Sequence, residues 1–263
     1  QSRTAVRFEN RRFRRFNNIT QLISFSDNLP YISGQGQQKQ GSFYCSNAFS
    51  KTKFNAFKEE REEELIYSIH SLGEEEIDAV LKDVNRFALK SQPEFKTNQD
   101  PSTPCNTFIS SLYQKERLLF LLRYGLAYVE ERSKDGTIQL QKHVMRYPQF
   151  FATKAIEDAI GKGVKKGVIW HTQGSGKTAL SYFNIRYLTN YFSKQKIVPQ
   201  FYFVVDRLDL ADQATREFTK RGLKVKRINR PQELNEKHDD YQVAVVNIQK
   251  FKDNSDLTDH SGY

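Results

Sequence analysis

The sequence predicts an α/β chain in three parts. These are a partial α/β edge over residues 1–57, a helical connector over 58–137 and a parallel, doubly wound domain over 138–263. Three observations predict this. Short apolar runs alternate with helical stretches after Gly167, the signature of strand–helix–strand units. A glycine-pinched turn, Gly174-Ser175-Gly176-Lys177-Thr178, lies between the first run and the first helix. Between Leu65 and Val129, apolar residues instead recur at three- and four-residue intervals, as on helices.

Residues 1–16 hold Arg3, Arg7, Arg11, Arg12, Arg14 and Arg15 with Phe8, Phe13 and Phe16 between them. On a helix Arg7, Arg11, Arg14 and Arg15 share one face, which suits either a phosphate backbone or plain solvent. Leu22 to Phe25 and Phe43 to Cys45 read as two strands, paired as a hairpin or across a sheet, with a polar Gln/Gly loop from Gly34 to Gly41 between them. The segment reads as the edge of a sheet whose other half precedes Gln1.

From Lys58 the composition shifts. Glu59, Glu60, Glu62, Glu63 and Glu64 open a long helical region that continues through Leu65, Ile69, Leu72, Ile77, Val80, Leu81, Val84 and Phe87. The acidic run reads as charge near a helix start or as a wet surface, metal binding being a lesser option. Ser91 to Pro104, with Pro93, Pro101 and Pro104, reads as a loop. Within it Pro93-Glu94-Phe95-Lys96 matches the end of a nuclease carboxylate–lysine motif. That chemistry needs a strand that aligns Glu and Lys on one metal, and a proline-broken polar stretch does not supply one. Thr107 to Val129 reads as a buried helix pair, Asp135-Gly136 as a turn, and Ile138, Leu140 and Val144 as a short strand.

Gly167 to Trp170 reads as a buried parallel strand, and Thr178 to Phe192 as the helix it feeds. Gly174 and Gly176 let successive N–H groups turn inward around an anion. Lys177 adds a point charge for phosphates and the Thr178 hydroxyl is a ligand for Mg²⁺. The helix directs its positive end at the same place. This is a P-loop in which His171 replaces the first glycine of G-x-x-x-x-G-K-[ST]. Phe201 to Val205 is the next buried strand. Leu208 to Arg221 is a helix with Leu210, Ala214 and Phe218 inward, and Val225 to Ile228 and Tyr241 to Val246 are further strands. Asp206 ends the first of them and is either a Mg²⁺-holding acid or a strand-end cap.

Composition sets limits on partners. Net charge is +10 with pI ≈ 9.4, which favours a polyanion such as nucleic acid. Cys45 and Cys105 are too few and too far apart for a disulfide framework or zinc knuckle, so a reducing cytoplasm is expected. No apolar run reaches membrane-spanning length. Met145 is the single Met and the chain opens on Gln1, so it reads as a fragment or a processed chain.

Trp170-His171-Thr172-x-Gly174-Ser175-Gly176-Lys177-Thr178 resembles motif I of the restriction (R, motor–nuclease) subunit of type I restriction–modification enzymes, His171 included. Met145-Arg146-Tyr147-Pro148-Gln149 is similar to the segment that precedes that motif, and Phe203 to Gln213 is similar to motif Ia. Val243 to Phe251 resembles the strand and helix before motif II. The resemblance implies a RecA-like lobe 1 with Arg146 and Gln149 reading adenine. It implies that Thr172, Gly174, Ser175, Gly176, Lys177 and Thr178 hold ATP and Mg²⁺, with Lys177 and Thr178 catalytic. Arg207, Gln249 and Lys250 would meet double-stranded DNA, and Asp206 loses its magnesium role. It implies an ATP-dependent endonuclease and superfamily-2 translocase that works with modification and specificity subunits. The Walker B acid, the second lobe and the nuclease carboxylates are expected outside these residues, leaving this segment inactive by itself. The alternatives are a nucleotide-gated protein-interaction module, a type III restriction subunit or another superfamily-2 translocase.

Overall fold

A computed structural model describes residues 19–32, 40–46, 54–65, 72–132, 135–234 and 240–251. The arginine-rich start, most of the Gln/Gly loop and Ile69 lie outside the described residues, as does the Lys250 side chain. The chain divides into two compact units, Gln1–Leu126 and Ala127–Tyr263.

In the first unit, β1 (Ile23–Ser26), β2 (Ser42–Cys45) and β3 (Asn55–Phe57) form an antiparallel sheet in that order. Ile23 sits opposite Cys45, and Ser42 opposite Phe57. The expected strand pair is therefore a meander with a third member. β2 is buried throughout, with Tyr44 1% and Cys45 0% exposed. Burial pushes the Cys45 thiol up to about 12.

The connector is more broken than a long amphipathic helix. Glu62–Glu64 is a single 3₁₀ turn, and α1 (Glu74–Asp83) buries only Ile77 and Leu81 while Val80, Val84 and Phe87 are exposed. The expected loop from Ser91 to Pro104 contains a helix, α2 (Pro93–Gln99), and ends where α3 (Pro104–Leu112) begins. Pro93 and Pro104 both stand in the first turn, where the missing N–H has no helical partner to lose. Glu94 and Lys96 thus lie two apart on a helix and do not share a face, which removes the geometry a nuclease strand would give them. The expected helix pair is α3 and α4 (Lys115–Tyr124), but it stops at Gly125. Leu126 and Val129 belong to β4 (Leu126–Arg132), which pairs with β5 (Ile138–Val144).

Glu59 is no part of a wet acidic face. Its side chain is 2% exposed, and its Oε2 accepts a hydrogen bond from Arg117 Nη1 on α4 at 2.7 Å. Ser111 Oγ donates to the same oxygen.

The second unit is built on α5 (Tyr147–Gly161), α6 (Lys177–Ser193) and α7 (Leu208–Lys220), with β6 (Phe201–Val205), β7 (Val225–Ile228) and β8 (Val243–Asn247). The strands are parallel in the order β6-β8-β7, so β8 is central and wholly buried. This is the crossover arrangement the alternating pattern predicts. α7 turns Ala211, Ala214 and Phe218 inward, and Phe218 meets Phe203 edge-on at 5.2 Å. Leu210, expected inside, is 37% exposed, because the buried stripe runs through Ala211 instead.

One predicted strand does not form. Gly167–Trp170 joins no described sheet, and Val168 and Trp170 are each 90% exposed. A buried parallel strand needs hydrogen-bonded neighbours, and no described strand pairs with this segment. β6 is left at a sheet edge with Tyr202 and Val204 exposed.

Candidate nucleotide site

The glycine loop forms even though its strand does not. Gly174 and Gly176 have φ of +75° and +84°, the left-handed region where an L side chain is strained. Thr172 O accepts from Ser175 N–H at 3.3 Å, closing the turn. α6 begins directly at Lys177, capped by Gly176, whose carbonyl accepts the Leu180 N–H at 2.9 Å. The free N–H groups of the first helical turn thus face the end of the glycine loop.

The loop is held from the start of α5. Gln149 is 2% exposed and both ends of its amide are used. Its Oε1 accepts the Arg146 N–H at 2.9 Å, and its Nε2 donates to Ser175 O at 3.3 Å and Gly176 O at 3.0 Å. Arg146 Nη1 donates to Gly174 O at 3.1 Å. A Cβ on Gly176 would lie 2.5 Å from Gln149 Nε2, so a larger residue would have to push that amide aside, on top of the strain its φ imposes. At Gly174 a Cβ would meet nothing within 4 Å, and only the backbone angle calls for glycine. Arg146 and Gln149 therefore do meet the loop, but they meet its carbonyls.

Lys177 is exposed, and its Nζ donates to Thr172 O at 3.0 Å. Thr178, on the same first turn, is half-buried. The two helices behind the loop are locked together. Thr153 Oγ1 on α5 donates to Asn184 Oδ1 on α6 at 2.8 Å, and the Tyr187 hydroxyl donates to Glu157. Among the described residues no group of three or more His, Cys, Asp or Glu side chains is placed to hold a metal. No described helix is long and apolar enough to cross a membrane.

The expected DNA-facing residues share one sheet edge. Val205 pairs with Asn247 in the parallel ladder, so Arg207 and Gln249 leave the same carboxyl ends of β6 and β8. The Arg207 guanidinium is held by Asp209 in a two-pronged pair at 3.1 and 2.7 Å. Gln249 donates its N–H to Asn247 Oδ1 at 2.9 Å at the start of a 3₁₀ turn, Ile248–Phe251, which also carries Lys250. Asp206 is exposed at this edge. Sequence reasoning missed Asn247, which is 0% exposed with its Nδ2 unpartnered among the described residues. A lone polar residue closing an apolar strand was the available signal.

Residues 148–262 match the SWI2/SNF2 ATPase family model. A putative type I restriction enzyme endonuclease subunit of Methanocaldococcus jannaschii is 44% identical over 104 residues, covering 37% of this chain and 9% of that protein. A type I restriction enzyme endonuclease subunit of Staphylococcus aureus strain COL is 34% identical over 112 residues, or 41% of this chain and 11% of its own length. A second M. jannaschii endonuclease subunit of the same kind is 26% identical over 169 residues, 60% of this chain and 15% of the relative. The aligned segments thus span between 9% and 15% of these relatives.

Proposed function

We propose that this chain is a segment of the type I restriction-enzyme R-subunit kind, a reading its similarity to two such endonuclease subunits and to the SWI2/SNF2 ATPase family model supports, and that residues 138–263 bind ATP as the first part of a RecA-like motor lobe. The whole protein would then be an ATP-driven translocase and endonuclease on double-stranded DNA, acting with modification and specificity subunits in the cytoplasm. Residues 1–57 would close a nuclease domain and 58–137 would connect it to the motor.

One observation carries this reading: a left-handed glycine pair braced from α5 and set at the start of a long helix. Such a loop suits phosphate because its donors are fixed before the ligand arrives. Its residues fit a triphosphate. Lys177 would exchange the Thr172 carbonyl for phosphate oxygens, and the exposed loop at Gly174 leaves room for close approach. Thr178 would hold Mg²⁺, which would screen the phosphate charge. Arg146 would turn from Gly174 towards the base, and Gln149 would reach adenine only by giving up a loop carbonyl. Arg207, Gln249 and Lys250 would follow the DNA backbone, Arg207 exchanging Asp209 for a phosphate.

The test is ATPase activity of the intact protein with and without long duplex DNA. DNA-stimulated turnover is expected, and Lys177→Ala should abolish it by removing the charge on the phosphates. Turnover indifferent to that substitution would refute the site. The SWI2/SNF2 match also suits another superfamily-2 duplex translocase, such as a type III restriction subunit. Full activity without modification and specificity subunits would favour that second reading.

A further inference from the structure

His171 stands where the general P-loop begins with glycine. Its imidazole is half-buried, and Nδ1 is enclosed by protein with no hydrogen-bond partner among the described residues. Four residues on, Ser175 is 8% exposed and its Oγ is likewise enclosed and unpartnered among the described residues. Buried polar atoms are nearly always paired, so two orphans in one loop call for a common cause.

The loop's hydrogen bonds identify what would pair with them. The carbonyl of Thr172 is taken by Lys177, that of Gly174 by Arg146, and those of Ser175 and Gly176 by Gln149. These four acceptors are therefore occupied, while the two orphaned side chains are groups able to donate: a hydroxyl and an imidazole N–H. Their complement is a group made of acceptors. A phosphate is such a group, and the adjoining helix start favours the same charge.

We propose that His171 contacts the bound nucleotide, its Nδ1 carrying the proton and donating to a phosphate oxygen beside Ser175 Oγ. The inference rests on the reading of this loop as a nucleotide site. A glycine at this position has no side chain with which to offer that bond. The histidine therefore adds a directional donor to a cradle otherwise made of backbone and Lys177.

The test is equilibrium binding of a fluorescent, non-hydrolysable ATP analogue to the intact protein and its variants. His171→Gly should weaken binding by about tenfold, roughly 1.4 kcal/mol. The amide nitrogen of asparagine can occupy the place of imidazole Nδ1, whereas that of glutamine reaches the place of Nε2. His171→Asn should therefore restore most of the affinity, and His171→Gln should not. A glycine variant that binds like wild type, or an asparagine variant as weak as glycine, would overturn the proposal. If the glycine variant does not fold, the asparagine and glutamine variants decide, and equal affinities for the two overturn it. Lys177→Ala separates the two readings. Wild-type affinity in that variant would remove the nucleotide site itself, whereas lost affinity there with no effect at His171 would remove only this inference.

Discussion

Gln149 Nε2 donates to the carbonyl of Gly176 at 3.0 Å, and the same nitrogen stands 2.5 Å from where a Cβ on Gly176 would be. The start of α5 therefore braces the glycine loop and crowds its tightest point. The consequences are testable in stability as well as in binding.

Gly176→Ala should destabilise the second unit by about 1–3 kcal/mol, since the residue must adopt a left-handed angle and displace Gln149. Urea unfolding of the variant measures this. Adding Gln149→Ala should remove the contact but leave the backbone strain, so the double variant should not regain wild-type stability.

Gln149→Ala alone should cost about 1–3 kcal/mol, because a buried amide is removed and the Arg146 N–H and the Ser175 carbonyl lose the partner it supplies. Gln149→Glu should be worse at neutral pH, as it faces the two carbonyls with a carboxylate that cannot donate. A denaturation midpoint in the order wild type, Ala, Glu checks this. A Glu variant as stable as wild type would mean that the amide does not donate to the Ser175 and Gly176 carbonyls.

In the first unit, Arg117→Met should cost about 3–5 kcal/mol because it strands the buried Glu59 carboxylate. Pairing it with Glu59→Leu should recover most of the loss, since two apolar groups leave no charge behind. A double-mutant cycle by chemical unfolding reports the coupling.

Cys45, held up to about 12 by burial, should resist alkylation in the native state and react only on unfolding. Cys105, which is less buried, should label first. The sign of the pH effect follows from the same shift. The folded thiol keeps its proton where the unfolded one has lost it, so its contribution to stability is full below the ordinary thiol range. That contribution falls as pH rises towards about 12. Cys45→Ala should flatten this alkaline decline in an unfolding series.

Much of the architecture is legible in the sequence because its causes are local. Gly174 and Gly176 announce a left-handed loop through their own lack of a Cβ, and Phe201–Val205 announces a strand by its continuous apolarity. Where sequence and structure part, the deciding contact is distant or a residue has two uses. Pro93 and Pro104 look like breakers in the sequence, yet each opens a helix. Glu59 looks like part of an exposed acidic run, yet it pairs with Arg117, fifty-eight positions away.

By itself, then, the sequence determined the left-handed glycine loop, the parallel strands that follow it and the kind of protein they resemble. Those features follow from backbone freedom and the spacing of apolar residues within a few positions. Only the tertiary structure decided that Gln149 braces Gly176 and that Gly167–Trp170 joins no described sheet. Hydrogen bonds between residues remote in sequence, and strands that must find neighbours, depend on where the rest of the chain goes. No local pattern encodes that.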